Sequence, residues 1–382
     1  MNDFRFNCQT TMFFGEHCFE KNVSLLKKYG NKAAVFSTAF PKNHVNQALL
    51  DVSDTFDKLK IEYLLIDDAC TDPSVESVAA LSMRAREFGA EFFVAVGGGS
   101  AIDTAKAAAM LLKEPAGRDP YCIFWGDHEP SEAIQSELPI PLFAVPTTAG
   151  TGAEVTPFAV LTRTDIHTKN SISYKAYPTA AFLDARYIKD SPQYLLHSGV
   201  FDALAHGIES YLHQDATPMG HMLAEYGFSL FQSFKDRLEE GDHTDEDYDC
   251  MMLAAFVQGM ACMQSNTTIP HGLGYPLAYR HIPHGLACGV FLGEYLLSLK
   301  DQDTACRIVR MCGFESPKDF AGFCEKILAK DVDLTISEDD IIKWTSHFMD
   351  TQTWRLAVNP NQLSRTDIER LYRRALRSFM KS

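Results

Sequence analysis

The sequence has no apolar run long enough to cross a membrane and no excess of positive charge. Its longest unbroken apolar run is Cys250 to Val257, whereas a membrane helix needs about 18 or more apolar residues. Lysine and arginine number 35 against 50 aspartates and glutamates, which gives a formal net charge of −15. Because this charge repels phosphate backbones and anionic lipid surfaces, we expect neither a nucleic-acid nor a membrane partner.

Cysteines at metal-binding or redox spacing are also missing. The ten cysteines are scattered without a C-x-x-C pair, and several lie in apolar helical stretches. We therefore predict reduced thiols and neither disulfides nor a zinc ribbon. The N-terminus lacks a basic stretch followed by an apolar segment and a small-residue cleavage site, which together would mark a secretory signal. These features predict a cytoplasmic protein.

The chain has enough apolar material for two domains, with 382 residues of which 46% are hydrophobic. In the first half, short runs rich in Val, Ile and Phe alternate with helical stretches, the pattern of βαβ units around a parallel sheet. After Asp184 the strand signal ends, and one amphipathic segment follows another. We predict an α/β domain over residues 1–190 and an all-helical domain over residues 191–382.

The predicted elements follow from these periodicities. The strands are expected at 33–37, 62–66, 92–96, 142–145, 159–162 and 181–184, and the helices between them at 45–59, 74–88 and 101–112. In the second half, helices are expected at 199–212, 221–238, 245–263, 284–299, 317–328, 338–349 and 365–380.

A glycine-rich turn follows the third predicted strand. That strand runs directly into Gly97-Gly98-Gly99-Ser100 and then into a helix-forming segment. Backbone N–H groups and the helix dipole at such a helix start can hold a pyrophosphate, which glycines allow to approach closely. A tight turn with Ser100 as the N-cap is the alternative, although three consecutive glycines exceed what such a turn needs. The motif is not G-x-G-x-x-G.

A second loop, residues 145–154, also follows an apolar strand and contains hydroxyls and glycines, including Thr147 and Thr148. Such a loop suits a ribose or a phosphate, but a simple turn has the same composition.

The second half carries a possible metal site. Asp202 and His206 are spaced i and i+4, so that they lie on one face of a helix and can bind one ion or each other. His271, His281 and His284 follow within a short stretch. One carboxylate with three imidazoles suits Fe(II), Zn(II), Mn(II) or Ni(II), and ligand type alone does not choose among them. Seven other histidines, at 17, 44, 128, 167, 213, 243 and 347, are expected at the surface.

In combination these motifs resemble the iron-containing (group III) alcohol dehydrogenase family, whose members pair a GGGSxxDxAK motif with a helical metal-binding domain. The motif stands here at Gly97 to Lys106, and Pro-Thr-Thr-Ala-Gly-Thr-Gly at 146–152, Asp202 to His206 and two Pro-His-Gly elements follow in family order. The resemblance covers almost the whole chain. It implies the dehydroquinate synthase-like architecture, in which a Rossmann-like, parallel-sheet domain that binds a nicotinamide dinucleotide precedes an all-α metal-binding and substrate domain.

The resemblance also implies the roles of individual residues. The metal, Fe(II) or alternatively Zn(II), would be held by Asp202, His206, His271 and His284, which with Tyr275 form the predicted catalytic site. NAD or NADP would be bound by Gly97, Gly98, Gly99, Ser100 and Asp103 at the pyrophosphate and by Thr38, Thr147, Thr148, Thr156 and Lys169 along the cofactor cleft. A homodimer is implied as well.

Two positions depart from the family pattern. Tyr275 stands where many relatives carry a histidine four residues after the third ligand, so proton transfer could run through Tyr275, His281, the cofactor ribose or water. Thr38 stands near the position where several NAD-preferring relatives carry an aspartate. Without that negative charge, a 2′-phosphate is admissible and NADP becomes an alternative to NAD.

The predicted reaction is reversible hydride transfer between a small primary alcohol and the nicotinamide, with the substrate oxygen bound to a Lewis-acidic divalent metal. A glycerol dehydrogenase-like polyol dehydrogenase and a maleylacetate reductase-like enzyme are alternatives within the same resemblance. From other classes, a metal-dependent hydrolase or a non-catalytic metal- or nucleotide-binding protein could use the same residues. The sequence leaves the physiological alcohol, the favoured direction and the native metal open.

Overall fold

The computed structural model describes residues 3–38, 46–112, 114–115, 117–125, 140–165, 168–173 and 175–380. The chain divides into two compact units. The sheet unit contains Asn7–Thr148 and Gly152–Asp190, and the helical unit contains Ser191–Ser382, Ala149–Thr151 and a short N-terminal segment. No helix in the described ranges is long and apolar enough to span a membrane.

A six-stranded parallel sheet forms the sheet unit, as the apolar runs predict. Its strands, in the order in which they lie side by side, are β1 (Thr11–Phe14), β8 (Ala180–Leu183), β5 (Leu142–Pro146), β4 (Phe92–Gly97), β2 (Lys32–Thr38) and β3 (Glu62–Ala69). The helices of this unit are α1 (Cys18–Asn22), α2 (Gln47–Leu59), α3 (Val75–Phe88), α4 (Gly99–Leu111), α5 (Pro120–Trp125) and α6 (Arg186–Lys189).

The central strands are apolar on both faces because helices or loops cover both. Every residue of β4, β5 and β8 is buried, which explains the continuous apolar runs of the sequence. Aromatic rings fill the core, with Phe92 edge-on to Phe143 at 5.8 Å between ring centroids. Since parallel strands end at one edge, the ends of β2, β4 and β5 bring Thr38, Gly97 and Thr147 to the same side of the sheet.

One predicted strand pairs differently from the expectation. The segment predicted at 159–162 is β6 (Val160–Arg163), which pairs antiparallel with β7 (Thr168–Ser171) in a separate two-stranded sheet. Neither β7 nor β1 was predicted from the sequence, and the four residues of β1 lie between polar neighbours. The edge of the parallel sheet is therefore formed by a strand that the periodicity did not predict.

The helical unit contains ten α-helices in its described part. They are α7 (Gln193–Leu212), α8 (Pro218–Leu238), α9 (Asp245–Ser265), α10 (Ile269–Ala278), α11 (His284–Ser298), α12 (Gln302–Met311), α13 (Pro317–Asp331), α14 (Glu338–Thr351), α15 (Thr353–Val358) and α16 (Arg365–Ala375). The seven predicted helices are all present, and α10, α12 and α15 were missed. The last helix ends at Ala375, before the predicted 380, and a short 3-10 turn follows it.

Helix α7 lies at the centre of this unit. The helix is buried almost continuously from Leu196 to Leu212, and most of its surface is therefore apolar. It packs against α8, α9, α10 and α11. The polar residues on a central helix are therefore removed from water, and each of them requires a buried partner.

Candidate functional site

The four predicted metal ligands converge within the helical unit. Asp202 and His206 lie one turn apart on α7, His271 lies in the first turn of α10, and His284 is the first residue of α11. The Oδ1 atom of Asp202 lies 3.6 Å from Nε2 of His271, 3.8 Å from Nε2 of His284 and 3.9 Å from Nε2 of His206. One carboxylate oxygen therefore faces three imidazole nitrogens.

The glycines of the two Pro-His-Gly elements explain how the helices come so close. A Cβ atom on Gly285 would overlap the carbonyl oxygen of Ser198 and lie 2.8 Å from Cβ of Asp202. A Cβ atom on Gly272 would lie 2.6 Å from the ring of Phe348. The absence of a side chain after each histidine lets α10 and α11 reach their positions, and α11 thereby brings His284 to Asp202.

Burial and unsatisfied atoms indicate a cation at this point. Asp202, His271 and His206 are 3%, 4% and 9% exposed. Oδ1 of Asp202 and Nε2 of His271 have no hydrogen-bond partner among the described residues, which is unfavourable for buried polar atoms. Donors bound to one ion at about 2.0–2.2 Å would be roughly 3.3–3.6 Å apart, close to the 3.6–3.9 Å that separate Oδ1 of Asp202 from the three imidazole nitrogens. The residues present therefore fit a divalent metal.

The electrostatics of the cluster keep Asp202 ionised. Burial would raise the pKa of this carboxyl, but the nearby His206, His271 and His284 hold its pKa well below the usual range. Burial lowers the pKa of His206. The site thus combines an ionised carboxylate with the imidazole of His206, which is available as a neutral donor.

Glu209 completes the site and was not predicted from the sequence. Its Oε1 lies 2.5 Å from Nδ1 of His271, and its Oε2 accepts a hydrogen bond from the amide of Thr268 at 2.5 Å. This carboxylate places the ring proton on Nδ1 and leaves Nε2 to face Asp202. The spacing carried a signal, since Glu209 follows His206 by three positions and Asp202 by seven, on the same face of α7.

Without a metal ion, this carboxylate also changes the protonation of His271. Burial favours the neutral ring, but the charges of Glu209 and Asp202 raise the pKa of His271 to about 9. In the absence of a metal ion, His271 therefore binds a proton, and a metal ion that binds to Nε2 has to displace this proton.

Tyr275 lies beside the cluster and is oriented by an arginine. Its ring lies nearly parallel to that of His284, with 6.5 Å between the ring centroids. Its hydroxyl accepts a hydrogen bond from Nη2 of Arg355 at 3.1 Å. Arg355 is buried and also donates to the carbonyl of Thr268. His281 lies exposed in the turn between α10 and α11. Sequence reasoning had missed Arg355, which lies far along the chain from Tyr275.

One of the histidines expected at the surface is buried. His213 is 5% exposed, and its Nδ1 accepts a hydrogen bond from the amide of Asp215 at the end of α7. The prediction was wrong because a polar sequence context can belong to a turn that packs inside a unit. His44, His128 and His167 lie outside the described residues.

The glycine-rich turn of the sheet unit leads from β4 into the start of α4. Gly97 ends β4 with φ +153°, and Gly98 is the N-cap of α4. A Cβ atom on Gly98 would lie 3.0 Å from the methyl group of Thr148, so the glycine leaves space beside this exposed threonine. The amide of Thr147 donates to the carbonyl of Gly97 at 3.1 Å. The two predicted cofactor loops therefore lie side by side.

Ser100 lies inside α4, so the alternative in which it serves as the N-cap is wrong. Its hydroxyl accepts a hydrogen bond from the amide of Asp72 at 3.2 Å. Asp72 in turn forms an ion pair of 2.7 Å with Nζ of Lys169. Lys169 is thus linked through Asp72 to Ser100, the second residue of α4, at the helix end where an anion would bind. Asp72 was not recognised in the sequence.

The remaining predicted cofactor residues have mainly internal contacts. Nζ of Lys106 donates to the carbonyls of Thr156 and Phe158 at 2.8 and 2.6 Å. Asp103 accepts a hydrogen bond from the amide of Val160 at 3.0 Å. Burial raises the pKa of Asp103 to about 6 and lowers that of Lys106 to about 8. Thr38 lies at the end of β2, near Gly97.

Two family models cover almost the whole chain. The model described as iron-containing alcohol dehydrogenase matches residues 9–185, and the model of the C-terminal domain of the Fe-containing alcohol dehydrogenase family matches residues 196–376. An alcohol dehydrogenase of Thermococcus barophilus is 27% identical over 97% of this chain and 98% of its own length. An NADPH-dependent butanol dehydrogenase of Clostridium saccharobutylicum is 31% identical over 66% of this chain and 63% of its own length.

Solved structures agree with the family match. The crystal structure of an iron-containing alcohol dehydrogenase has a TM-score of 0.85 at 29% identity and covers 98% of this chain and 99% of that one. The sulfoacetaldehyde reductase of Bifidobacterium kashiwanohense, solved in complex with NAD+, has a TM-score of 0.83 at 25% identity over 98% of this chain and 99% of that one. The chain therefore belongs to the iron-containing alcohol dehydrogenase family, whose members are NAD(P)-dependent alcohol oxidoreductases.

Proposed function

We propose that the protein catalyses reversible hydride transfer between small primary alcohols and a nicotinamide dinucleotide, and that it works as an aldehyde reductase or alcohol dehydrogenase with one divalent metal. The observation that carries this proposal is the convergence of Asp202 Oδ1 with Nε2 of His206, His271 and His284. Family membership supports an oxidoreductase over a hydrolase that would use the same ligands. Four converging donors also favour this reaction over that of a three-ligand, glycerol dehydrogenase-like enzyme.

The metal-binding residues have a defined role in this reaction. Asp202, His206, His271 and His284 would hold a divalent metal, which would supply Lewis-acid polarisation of a substrate oxygen. Glu209 keeps the proton of His271 on Nδ1, so that Nε2 remains a donor. Fe(II) is the proposed metal and Zn(II) the alternative, since mixed imidazole and carboxylate sites suit both.

Tyr275 is the proposed proton-transfer residue of this chain. Its hydroxyl accepts from Arg355, which leaves the hydroxyl proton free to be donated to a developing alkoxide. The ring lies next to His284. Replacing Tyr275 by Phe should therefore lower kcat more than it raises the KM for the aldehyde.

The dinucleotide is proposed to bind at the start of α4. Backbone N–H groups of Gly99 and Ser100 lie where the helix dipole favours a pyrophosphate, and Lys169 adds a positive charge nearby. Thr147, Thr148 and Thr156 offer hydroxyls along the adjoining loop, and Asp103 supports that loop from within. Thr38 carries no charge that would repel a 2′-phosphate, so both NAD and NADP are proposed as cofactors.

The first experiment is anaerobic reduction of a panel of short aldehydes by protein reconstituted with Fe(II) or Zn(II). NADH and NADPH absorbance are followed separately, because one cofactor can be preferred. Turnover that depends on the metal would support the proposal, and its loss in His271→Ala would assign the metal site. Metal-independent turnover, or full activity of His271→Ala, would reject it.

The dinucleotide site is tested by Gly98→Ala. The backbone of Gly98 has φ −80°, which alanine can adopt, so the new methyl group affects only the space beside Thr148. We expect the dissociation constant for NAD or NADP to rise about tenfold or more, whereas metal binding stays unchanged. Gly322→Ala is the matched control, because a Cβ atom there meets nothing within 4 Å. Equal dinucleotide affinity of Gly98→Ala and the unaltered protein would contradict the proposed site.

A cytoplasmic location and a homodimer are also proposed. All ten cysteines lie in the described ranges and form no disulfide, which supports a reducing compartment such as the cytoplasm. The apolar edge strand β1 supports a homodimer.

A further inference from the structure

We infer that Cys288 is an additional ligand of the metal, so that the site combines one thiolate with a carboxylate and imidazoles. The inference deepens the proposed function and rests on it, because it concerns the same metal. It adds a sulfur donor to the residues that the sequence motifs indicate.

The position of Cys288 follows from helical geometry. Cys288 is four residues after His284 on α11, so the two side chains lie on one face of that helix. Its Sγ lies 3.9 Å from Nε2 of His284. Donor atoms of Asp202, His271, His284 and Cys288 all lie within 4.8 Å of one another. A sulfur and a nitrogen bound to one zinc ion at about 2.3 and 2.0 Å are roughly 3.5 Å apart, so modest side-chain rotation suffices.

The contact between the thiol of Cys288 and His284 would be lost as a hydrogen bond when a metal binds to Nε2 of His284. The Nε2 atom that faces Cys288 is also the atom that faces Asp202 at 3.8 Å. Once this nitrogen donates its lone pair to a metal, it can no longer form a hydrogen bond with the thiol. Bonding of the sulfur to the same ion replaces this lost interaction, and the thiol proton leaves to solvent as the bond forms.

Because Cys288 is buried, its thiolate form requires a nearby cation, which the metal would provide. Cys288 is 0% exposed and lies beside the carboxylate of Asp202. A second buried negative charge next to this carboxylate would be strongly unfavourable by itself. A divalent cation between the two anions removes that penalty, as it does at other thiolate sites.

A sulfur donor has a consequence for metal choice. Thiolate ligands favour softer ions, so Cys288 should increase the preference for Zn(II) and Fe(II) over Mn(II), which prefers oxygen donors. The preference should decrease when the sulfur is removed, although the carboxylate and the imidazoles remain.

The first test uses Co(II) added to metal-free protein, because a cobalt–thiolate bond gives an intense near-ultraviolet charge-transfer band. We expect the band in the unaltered protein and its loss in both Cys288→Ser and Cys288→Ala, with a zinc dissociation constant at least about tenfold higher. Cys262→Ser is the matched control, since Cys262 is also buried on a helix of this unit but is not part of the donor set. Retention of the band in both Cys288 variants, or its loss in Cys262→Ser, would overturn the inference.

The second test needs no variant and therefore does not depend on how the variants fold. X-ray absorption of the zinc-loaded, unaltered protein should show one sulfur neighbour at about 2.3 Å beside nitrogen and oxygen neighbours at about 2.0–2.2 Å. A shell of nitrogen and oxygen alone would reject Cys288 as a ligand and leave the proposed function intact. Failure to bind any divalent metal would reject the metal-dependent function itself, together with this inference.

Discussion

His271 meets a carboxylate at each of its ring nitrogens. Glu209 lies 2.5 Å from Nδ1, and Asp202 lies 3.6 Å from Nε2. Only the contact with Glu209 has the length of a hydrogen bond, so Glu209 fixes the proton on Nδ1, and Asp202 lies where it would share the proposed metal with Nε2. The other oxygen of Glu209 accepts from the amide of Thr268 at the start of α10. Glu209 therefore positions both the ring of His271 and the helix that carries it.

Glu209→Gln should weaken metal binding without removing any ligand. An amide has one accepting oxygen, so its NH2 group must face either the amide of Thr268 or the ring N–H of His271. In either case two donors meet, and the orientation of His271 is no longer fixed. We expect the zinc dissociation constant, measured by competition with a chromophoric chelator, to rise about 10–100-fold.

Glu225→Gln serves as the control for this substitution. Glu225 is exposed on α8 and accepts a hydrogen bond from Tyr211 at 3.2 Å, away from the ligand set. Its replacement should leave zinc affinity unchanged. The positioning role of Glu209 would be disproved by an equal zinc affinity in Glu209→Gln and the unaltered protein.

Periodicity predicted most helices and strands, but not those whose residues have weak intrinsic preferences. Helix α10 contains Pro270, Gly272, Gly274 and Pro276, which are poor helix formers. Its helical form depends on packing, since a Cβ atom on Gly274 would lie 2.9 Å from the carbonyl oxygen of Ala287 on α11. Such tertiary contacts cannot be obtained from local sequence. The same applies to β7, which is defined by its pairing with β6.

The residues of the candidate site also differ in whether local sequence or tertiary packing brings them together. Asp202 and His206 share one helix turn, so their spacing alone predicted that they meet. Arg355 and Tyr275 are 80 positions apart, and only the packing of α10 against α15 brings them together. Spacing can therefore identify ligands on one helix, but it cannot identify the groups that orient them from elsewhere in the chain.

Helix α4 is tied to the segment before β6 by the buried Lys106. Its ammonium group donates to the carbonyls of Thr156 and Phe158 and lies 3.8 Å from Oδ1 of Asp103. Lys106 is 0% exposed, so no water replaces it as a donor to these carbonyls. The conformation of the loop that carries Thr156 therefore depends on one side chain of α4.

Lys106→Met should destabilise the protein by about 3 kcal/mol, because it leaves two carbonyls and the charge of Asp103 without their buried partner. Urea unfolding measures this change, and Lys175→Met, at an exposed lysine, should shift the unfolding free energy by less than about 0.5 kcal/mol. We also expect weaker dinucleotide binding by Lys106→Met. Stability equal to that of the Lys175 control would show that the tether is unimportant.

The sheet has an apolar edge that a single chain leaves open. Strand β1 is the outermost strand next to β8, and Met12 and Phe14 are both 39% exposed on it. The backbone groups on its outer side have no strand partner in the described part of the chain. Exposed, apolar edge strands pair readily with another strand. A second copy of the same strand, related by a twofold axis, would satisfy these groups in a self-complementary interface.

The proposed homodimer should therefore dissociate when charge is placed on β1. Met12→Lys combined with Phe14→Lys puts two ammonium groups on each strand, so that a symmetric pair would bring like charges together. We expect sedimentation equilibrium to give a dimer for the unaltered protein and a monomer for the double variant. Met222→Lys, at a 52% exposed position on α8, should remain dimeric. A dimer that survives the double substitution would place the interface elsewhere, and a monomeric unaltered protein would show that β1 stays unpaired in solution.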